Sequence, residues 1–205
     1  ERLHIDLPLG GKPGVQLLLR TGGEAVQLTL EGGGFAAEYY AMRAVPVEYN
    51  TGDGTQQGGA MVLEQRPAQK PDYASRLAPF WVYDCLIEAP DGCIRAQDSL
   101  AAAYLCLCPD VQCRPGTYTL TLCAQCAEGE YCCALDVRVY GVRVPQDAFP
   151  VTNWFSLDAI RRLHHVVDGT PEYIAMVRKY ARAMRRTHQT MFYLEFDGKA
   201  CVRSR

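Results

Sequence analysis

The sequence lacks the features that mark membrane-spanning and nucleic-acid-binding proteins. No apolar run approaches the roughly 20 residues that a membrane-spanning helix requires. The net charge of −2 at pH 7 and the isoelectric point near 6.1 provide no excess of positive charge for a phosphate backbone or an anionic membrane. We therefore expect no nucleic-acid partner and no membrane partner, and no sequence motif indicates a cofactor.

Residues 1–6 also lack the basic and apolar regions of a signal peptide. We expect a cytoplasmic protein, with secretion as the alternative if a signal peptide has been removed. The 205 residues, of which 48% are hydrophobic, suffice for one core or for one core and part of a second. The composition therefore predicts a globular chain.

Cysteine, in contrast, is abundant, and nine of the ten cysteines lie between Cys85 and Cys133. A chain of this size needs no disulfide framework, so we expect reduced thiols that pack as small hydrophobic side chains. The alternative is a zinc site formed by Cys123 and Cys126 with Cys132 or Cys133 across a hairpin. Zinc sites usually combine two separated pairs of ligands. Because Cys132 and Cys133 are adjacent, the spacing favours thiols without metal, and only one of these two side chains can face a core.

The sequence before Pro145 consists of short strand patterns that are separated by turn signals. The clearest pattern covers residues 117–122, where threonines alternate with Tyr118, Leu120 and Leu122. Strands are predicted over residues 5–9, 15–20, 25–30, 38–49, 61–64, 80–88, 100–108, 114–123 and 131–140. Residues 51–59 form a glycine-rich loop that we expect to be disordered. Many short strands without a helix predict an antiparallel, immunoglobulin-like β-sandwich over residues 1–145.

After Pro150 the pattern changes to that of an α/β protein. A helix is predicted over residues 171–187 from its first residues. Thr170 can cap the helix, Pro171 suits its first turn, and the negative charge of Glu172 complements the helix dipole. An apolar stripe along it is formed by Ile174, Val177, Ala181 and Met184. An extended segment is predicted at 149–155, a short helix at 156–164 and a strand at 190–196. Residues 146–205 are thus expected to form a second, strand-helix-strand segment.

Several motifs together are similar to glycoside hydrolase family 123. Arg114-Pro-Gly-Thr-Tyr-Thr-Leu-Thr121, followed by a hairpin and Leu135-Asp-Val-Arg-Val-Tyr140, resembles the end of the N-terminal sandwich of that family. Further similar segments are Pro71-Asp72, Leu77-Ala-Pro79, residues 149–155, the helix at 171–187 and Arg186-Thr-His-Gln-Thr190. The last three resemble the opening of the family's catalytic (β/α) barrel. The resemblance spans most of the chain.

The resemblance implies a full-length retaining exo-β-N-acetylgalactosaminidase that acts on glycans. Its mechanism would be substrate-assisted, with an adjacent Asp-Glu pair on a later barrel strand. This sequence contains no Asp-Glu dipeptide. We therefore assign no catalytic residue, expect this chain alone to be inactive, and expect the missing C-terminal barrel to be its partner. Fifty-odd residues cannot close a barrel, which needs about 250.

Two residues are candidates for substrate binding. Trp154 follows the first barrel-like strand, at the end where barrel active sites are built, and could stack on a sugar or fill an interface. Asn153 could donate a hydrogen bond to a sugar or cap a turn. His164 and His165 have no third ligand nearby, so we expect no metal there. His188 is predicted to interact with a helix end.

Two functions from different classes follow. In the first, the chain is the non-catalytic N-terminal portion of a family-123-like hydrolase, and its sandwich supports the barrel. In the second, the chain is a free-standing carbohydrate-binding or protein-interaction module. An exposed aromatic patch including Tyr39, Tyr40 or Trp81 would favour carbohydrate binding. An exposed apolar side of the helix at 171–187 would instead indicate a missing partner domain.

Overall fold

A computed structural model describes residues 2–48, 75–143, 145, 150–152 and 155–190. The chain divides into two compact units, Glu1–Arg143 and Val144–Arg205. The loop predicted at 51–59, the strands predicted at 61–64 and 190–196, and part of the extended segment at 149–155 lie outside the described residues. In the part that is described, the chain is mainly β, as predicted, and none of its helices is long and apolar enough to cross a membrane.

Nine strands are described in the first unit, and they include all eight that were predicted within this part of the chain. They are β1 Arg2–Leu9, β2 Gly14–Arg20, β3 Val26–Glu31, β4 Phe35–Val47, β5 Phe80–Glu88, β6 Cys93–Ile94, β7 Leu100–Pro109, β8 Gly116–Cys126 and β9 Gly129–Arg143. Only β6 was not predicted. It contains two residues, which is too short for an alternating pattern to be visible.

The strands form two sheets with the orders β1-β9-β8-β3-β6 and β2-β7-β4-β5. The pairs of both sheets are antiparallel except for β1 and β9, which run parallel. The expectation of a fully antiparallel sandwich was therefore wrong for the first sheet. Parallel neighbours need a long connection, and the chain between the first and last strands of the unit provides one.

The two sheets share a hydrophobic core, and the unit is therefore a β-sandwich. Leu105 and Leu107 of the second sheet are fully buried in the same cluster as Leu120, Leu135 and Val137 of the first sheet. The register of β8 and β9 places Leu120 directly opposite Leu135, so both point to the same side. A second cluster, which includes Val26, Leu28, Ile94, Ala101 and Ala103, extends the core.

The second unit contains the two predicted helices within its described residues. Helix α1 spans Leu157–His164, and Ser156 caps it by accepting a hydrogen bond from the backbone N–H of Ala159. Helix α2 spans Pro171–Arg186, and the side chain of Thr170 accepts from the N–H of Tyr173. The start of α2 therefore follows from the cap, the proline and the acid that predicted it.

Candidate functional site

The outer face of the second sheet carries a cluster of polar side chains near one end of its strands. The pairing of β4 with β7 places Glu38 opposite Cys106, and Cys108 lies two residues further along the same face. The carboxylate oxygen and the two sulfur atoms all lie within 4.8 Å of one another. All three residues are half-buried, and we call them the thiol cluster.

Two neighbours contact the carboxylate of this cluster. The ammonium of Lys12 lies 3.5 Å from Glu38 Oε1. The hydroxyl of Tyr40 donates a hydrogen bond to Glu38 Oε2 at 3.0 Å. These two contacts help to hold the carboxylate in position.

The thiol cluster shifts the acidity of its own members. Burial, followed by the charges of Cys108 and Glu38, raises the pKa of Cys106 to about 11. Burial also raises the pKa of Cys108, although the nearby Lys12 acts in the opposite direction. The negative charge that Cys108 would carry raises the pKa of Lys12. Both thiols are therefore protonated near neutral pH, because a thiolate at either position would be partly buried and close to the negative charge of Glu38.

The aromatic residues whose exposure as one patch would favour carbohydrate binding do not lie together on one face of the second sheet. Tyr39 packs against both core clusters, whereas Tyr40 faces outward and contacts the ring of Tyr104 edge-on, at 6.3 Å and 60°. Trp81 is 64% exposed and pairs with Pro46, six residues along β4 from Tyr40. Six residues of a strand span about 20 Å. Tyr40 and Trp81 therefore do not form one continuous platform.

The first sheet holds a disulfide between Cys123 and Cys132, which are directly opposite each other in the register of β8 and β9. The expectation of reduced thiols was therefore wrong for this pair. Adjacent strands bring two cysteines on the same face within bonding distance, and sequence spacing alone did not show that register. The other seven cysteines of the described residues are free.

The zinc arrangement considered for these cysteines is also wrong. Cys126 packs with the core, whereas Cys123 lies on the opposite face of β8, because residues three apart on a strand point to opposite sides. Cys133 packs against the core while the adjacent Cys132 is exposed. This confirms that only one of the two adjacent cysteines faces the core.

A second polar group on the outer face of the first sheet surrounds Asp136. Arg2 Nη1 donates to Asp136 Oδ2 at 2.9 Å, Thr119 Oγ1 donates to Oδ1 at 3.2 Å, and His4 Nδ1 lies 3.6 Å away. Burial acts to raise the pKa of Asp136, but the hydrogen bonds from Arg2 and Thr119 and the charges of Arg2 and His4 lower it overall. These contacts tie β1 to β9 and β8, so the group has a structural role.

A cavity of about 250 Å³ lies at one end of the sandwich, where β1, β7 and β9 end. Its lining is mixed, with the side chains of Lys12, Asp110 and Arg143 beside apolar residues. Val111 at its rim is almost completely exposed. The cavity presents two cations and one carboxylate, which suit a polar surface or ligand better than an apolar one.

The histidines of the second unit have structural contacts. His164 Nε2 lies 2.9 Å from the hydroxyl of Tyr180, which joins α1 to α2. His165 adopts a left-handed conformation with φ of 52° and ends α1, and its N–H donates to the carbonyl of Arg161. His188 follows α2 and its N–H donates to the carbonyl of Arg185. The candidate substrate-binding residues Asn153 and Trp154 lie outside the described residues.

The segment before α1 and the segment after α2 are hydrogen-bonded to each other. The N–H of Thr190 donates to the carbonyl of Val151 at 3.0 Å. The N–H of Val151 in turn donates to the hydroxyl of Thr190 at 3.0 Å. The beginning of the predicted strand at 190–196 is thus placed beside the extended segment that contains Val151.

Comparison with known proteins finds a similar fold in a solved structure but no matching protein family. No protein-family profile matches the sequence, and no curated protein matches it. A solved structure of a family 123 glycoside hydrolase from Clostridium perfringens, described for the hydrolysis of glycolipid glycans, has a similar fold with a TM-score of 0.65. The identity is 12%, and the alignment covers 92% of this chain and 32% of that chain. The chain shares the fold of part of that enzyme and spans about a third of its length.

The sequence pointed to only part of the thiol cluster. The two-residue spacing of Cys106 and Cys108 indicates that these side chains share one face of a strand. The contribution of Glu38 was missed because it depends on the register between β4 and β7, which join residues about 70 positions apart. No local signal in a single sequence reports such a register.

Proposed function

We propose that this chain is the non-catalytic N-terminal portion of a glycoside hydrolase-like protein that acts on N-acetylgalactosaminyl glycans. In this proposal, residues 1–145 form an immunoglobulin-like sandwich that supports a catalytic barrel. Residues 146–205 supply the first strand-helix-strand of that barrel. The missing barrel is the partner, the glycan is the substrate of the full-length protein, and Asn153 and Trp154 contribute to the sugar site.

The observation that carries the proposal is the fold comparison. A similarity with a TM-score of 0.65 extends over 92% of this chain but only 32% of the hydrolase. The first unit ends at Arg143, so an alignment of this extent includes residues of the second unit as well. A separate binding module would account for the sandwich but not for the similarity of the residues that follow it.

Two features of the second unit support a barrel beginning. The two hydrogen bonds between Val151 and Thr190 join the chain before α1 to the chain after α2, and such an adjacency is compatible with neighbouring strands of a barrel. In addition, α2 contains no buried residue, and Ile174 of its apolar stripe is 44% exposed. An apolar stripe that remains open is suited to a further layer of protein.

A longer chain tests this proposal directly. The gene should be read beyond the codon for Arg205, and the longer product should be assayed on a β-N-acetylgalactosaminide. We expect at least roughly 200 further residues, enough to complete a barrel, with an Asp-Glu pair after a strand. We expect activity in the longer product and none in residues 1–205. A stop codon directly after Arg205 would refute the proposal.

A second function, glycan binding by the sandwich itself, is supported by the exposure of Trp81. A largely exposed tryptophan can stack on the apolar face of a sugar ring. Binding of N-acetylgalactosamine that is abolished in Trp81→Ala but retained in Trp154→Ala would favour this function. If neither substitution matters and no binding occurs, the supporting role remains the better explanation.

A further inference from the structure

We propose that Glu38, Cys106 and Cys108 form a zinc-binding site on the outer face of the second sheet. The three donor atoms lie within 4.8 Å of one another. They come from two paired strands, since Glu38 is directly opposite Cys106 and Cys108 follows on the same face. Backbone pairing of β4 and β7 therefore holds the ligands together without a flexible loop.

The donor atoms match the coordination chemistry of zinc. Zn²⁺ binds thiolates at about 2.3 Å and carboxylates at about 2.0–2.2 Å, usually with four ligands in a tetrahedron. Two sulfur atoms bound to such an ion are about 3.8 Å apart. This distance is compatible with the cluster, whose donor atoms all lie within 4.8 Å of one another. The residues are half-buried and face outward, so water can occupy the fourth position. The arrangement of three protein ligands and one water leaves the ion open to exogenous ligands.

The electrostatics of the cluster favour a divalent cation. Each thiolate would add negative charge beside the Glu38 carboxylate, and these charges oppose one another. On binding, the two thiols release two protons and form two zinc–sulfur bonds, while the carboxylate supplies the third ligand. One Zn²⁺ thus replaces two protons and relieves the repulsion between the three groups.

Lys12 is the competing cation at this position. Its ammonium lies 3.5 Å from Glu38 Oε1, and its side chain is 57% exposed. A long, exposed lysine can turn toward solvent at little cost, which removes its contact with Oε1. Replacing Lys12 with methionine removes the competing charge, so we expect zinc to bind severalfold more tightly to Lys12→Met.

A second group with similar donors does not compete in the oxidised chain. Cys123, Glu130 and Cys132 also lie close enough together to hold a metal. The two sulfur atoms of that group are joined in a disulfide and are not available as thiolates. Cys106 and Cys108, by contrast, are both free thiols. The double substitution Cys123→Ser and Cys132→Ser removes both sulfur ligands of the second group. The chain with these two substitutions is the background for the test.

The test is a zinc titration of residues 1–205 against a chromophoric chelator, in that double-serine background. We expect one equivalent of zinc per chain. Loss of a residue that only hydrogen-bonds to a metal ligand typically weakens metal binding about 10–100-fold, and loss of the ligand itself should weaken it more. We therefore expect Cys106→Ser and Cys108→Ser each to weaken zinc binding at least about 100-fold. Glu38→Gln should weaken it at least about tenfold. Cys85→Ser, which removes an exposed thiol outside the cluster, should leave it unchanged.

A second measurement needs no substitution in the cluster. Zinc should protect Cys106 and Cys108 from alkylation, as determined by mass mapping of the peptide that contains β7, and should leave Cys85 reactive. Cobalt in place of zinc should give a thiolate charge-transfer band with the intensity of two sulfur ligands. The absence of stoichiometric binding, or equal alkylation of β7 with and without zinc, would overturn the proposal. Binding that survives both Cys106→Ser and Cys108→Ser would overturn it as well.

Discussion

In the first unit, Leu105, Leu107 and Leu120 are completely buried, whereas no residue of α2 in the second unit is buried. The sandwich closes its core with side chains from both of its own sheets. Helix α2 has an equally clear apolar stripe in sequence, but its members remain half-buried or exposed. The difference teaches that an apolar pattern specifies a helix but does not provide the layer that covers it.

The comparison predicts that truncating a buried leucine of the sandwich costs far more than truncating an apolar residue of α2. Leu105→Ala removes a side chain with 0% exposure from the middle of the sandwich, so we expect the free energy of unfolding to fall by about 2–5 kcal/mol. Ile174→Ala in α2 should cost less than about 1 kcal/mol, since that side chain is 44% exposed. Urea unfolding followed by circular dichroism measures both.

Leu18→Ala is the matched control for this experiment. It makes the same chemical change on the neighbouring strand β2, but its side chain is 60% exposed and should change stability by no more than about 0.5 kcal/mol. Equal losses from Leu105→Ala and Ile174→Ala would break the comparison, because they would show that α2 is as deeply packed as the sandwich.

The disulfide sharpens the comparison, because it adds a covalent constraint to the sandwich, whose sheets already share a buried core. Its cysteines are separated by nine positions, and closing a loop of that size stabilises a chain by about 2–3 kcal/mol in the entropy model. The double substitution Cys123→Ser and Cys132→Ser should lower the free energy of unfolding by that amount. Cys85→Ser, an exposed free thiol on β5, should leave it unchanged.

Alkylation tests the disulfide directly. Alkylation of the unreduced chain followed by mass analysis should leave Cys123 and Cys132 unmodified and modify Cys85. Modification of all three would show that the sulfurs are reduced, and the double substitution would then have little effect.

A smaller effect is expected at the start of α2, where local contacts carry more weight because tertiary burial is low. The hydroxyl of Thr170 accepts from the N–H of Tyr173 at 3.3 Å and donates to the carbonyl of Val167 at 2.7 Å. Thr170→Ala should cost about 1 kcal/mol and speed hydrogen exchange in α2 about fivefold. Thr170→Ser keeps both bonds and should retain the protection. Unchanged exchange in Thr170→Ala would mean that burial, not the cap, holds the helix.

Local patterns predicted most of the described secondary structure because strands, turns and caps depend on neighbouring residues. Alternation identified β8, and Thr170 with Pro171 identified α2. The parallel pairing of β1 with β9 was missed, since it joins the two ends of the unit and depends on the packing of everything between them.

Register also explains what the sequence could not show about the sites. The disulfide pairs Cys123 with Cys132 across a hairpin, and Glu38 reaches Cys106 across a long-range pairing. Cysteine spacing alone was compatible with thiols, zinc or a disulfide. A shift of one residue in either pairing would send one partner to the other face and separate the groups.

The smallest predicted effect concerns Asp136, which joins β1 to the rest of the first sheet. Contacts with Arg2, Thr119 and His4 hold its folded pKa below that of an unfolded aspartate, about 3.9. Its contribution to stability is therefore present above the unfolded pKa and is lost as the pH falls through the folded pKa.

The difference in urea midpoint between wild type and Asp136→Asn should be constant from pH 7 to about 5 and should vanish in strong acid. It should be small, because Arg2 is 61% exposed and water screens the pair. In an Arg2→Met background the difference should shrink at every pH, and a difference that persists undiminished in acid would show that the carboxylate acts through packing instead of charge.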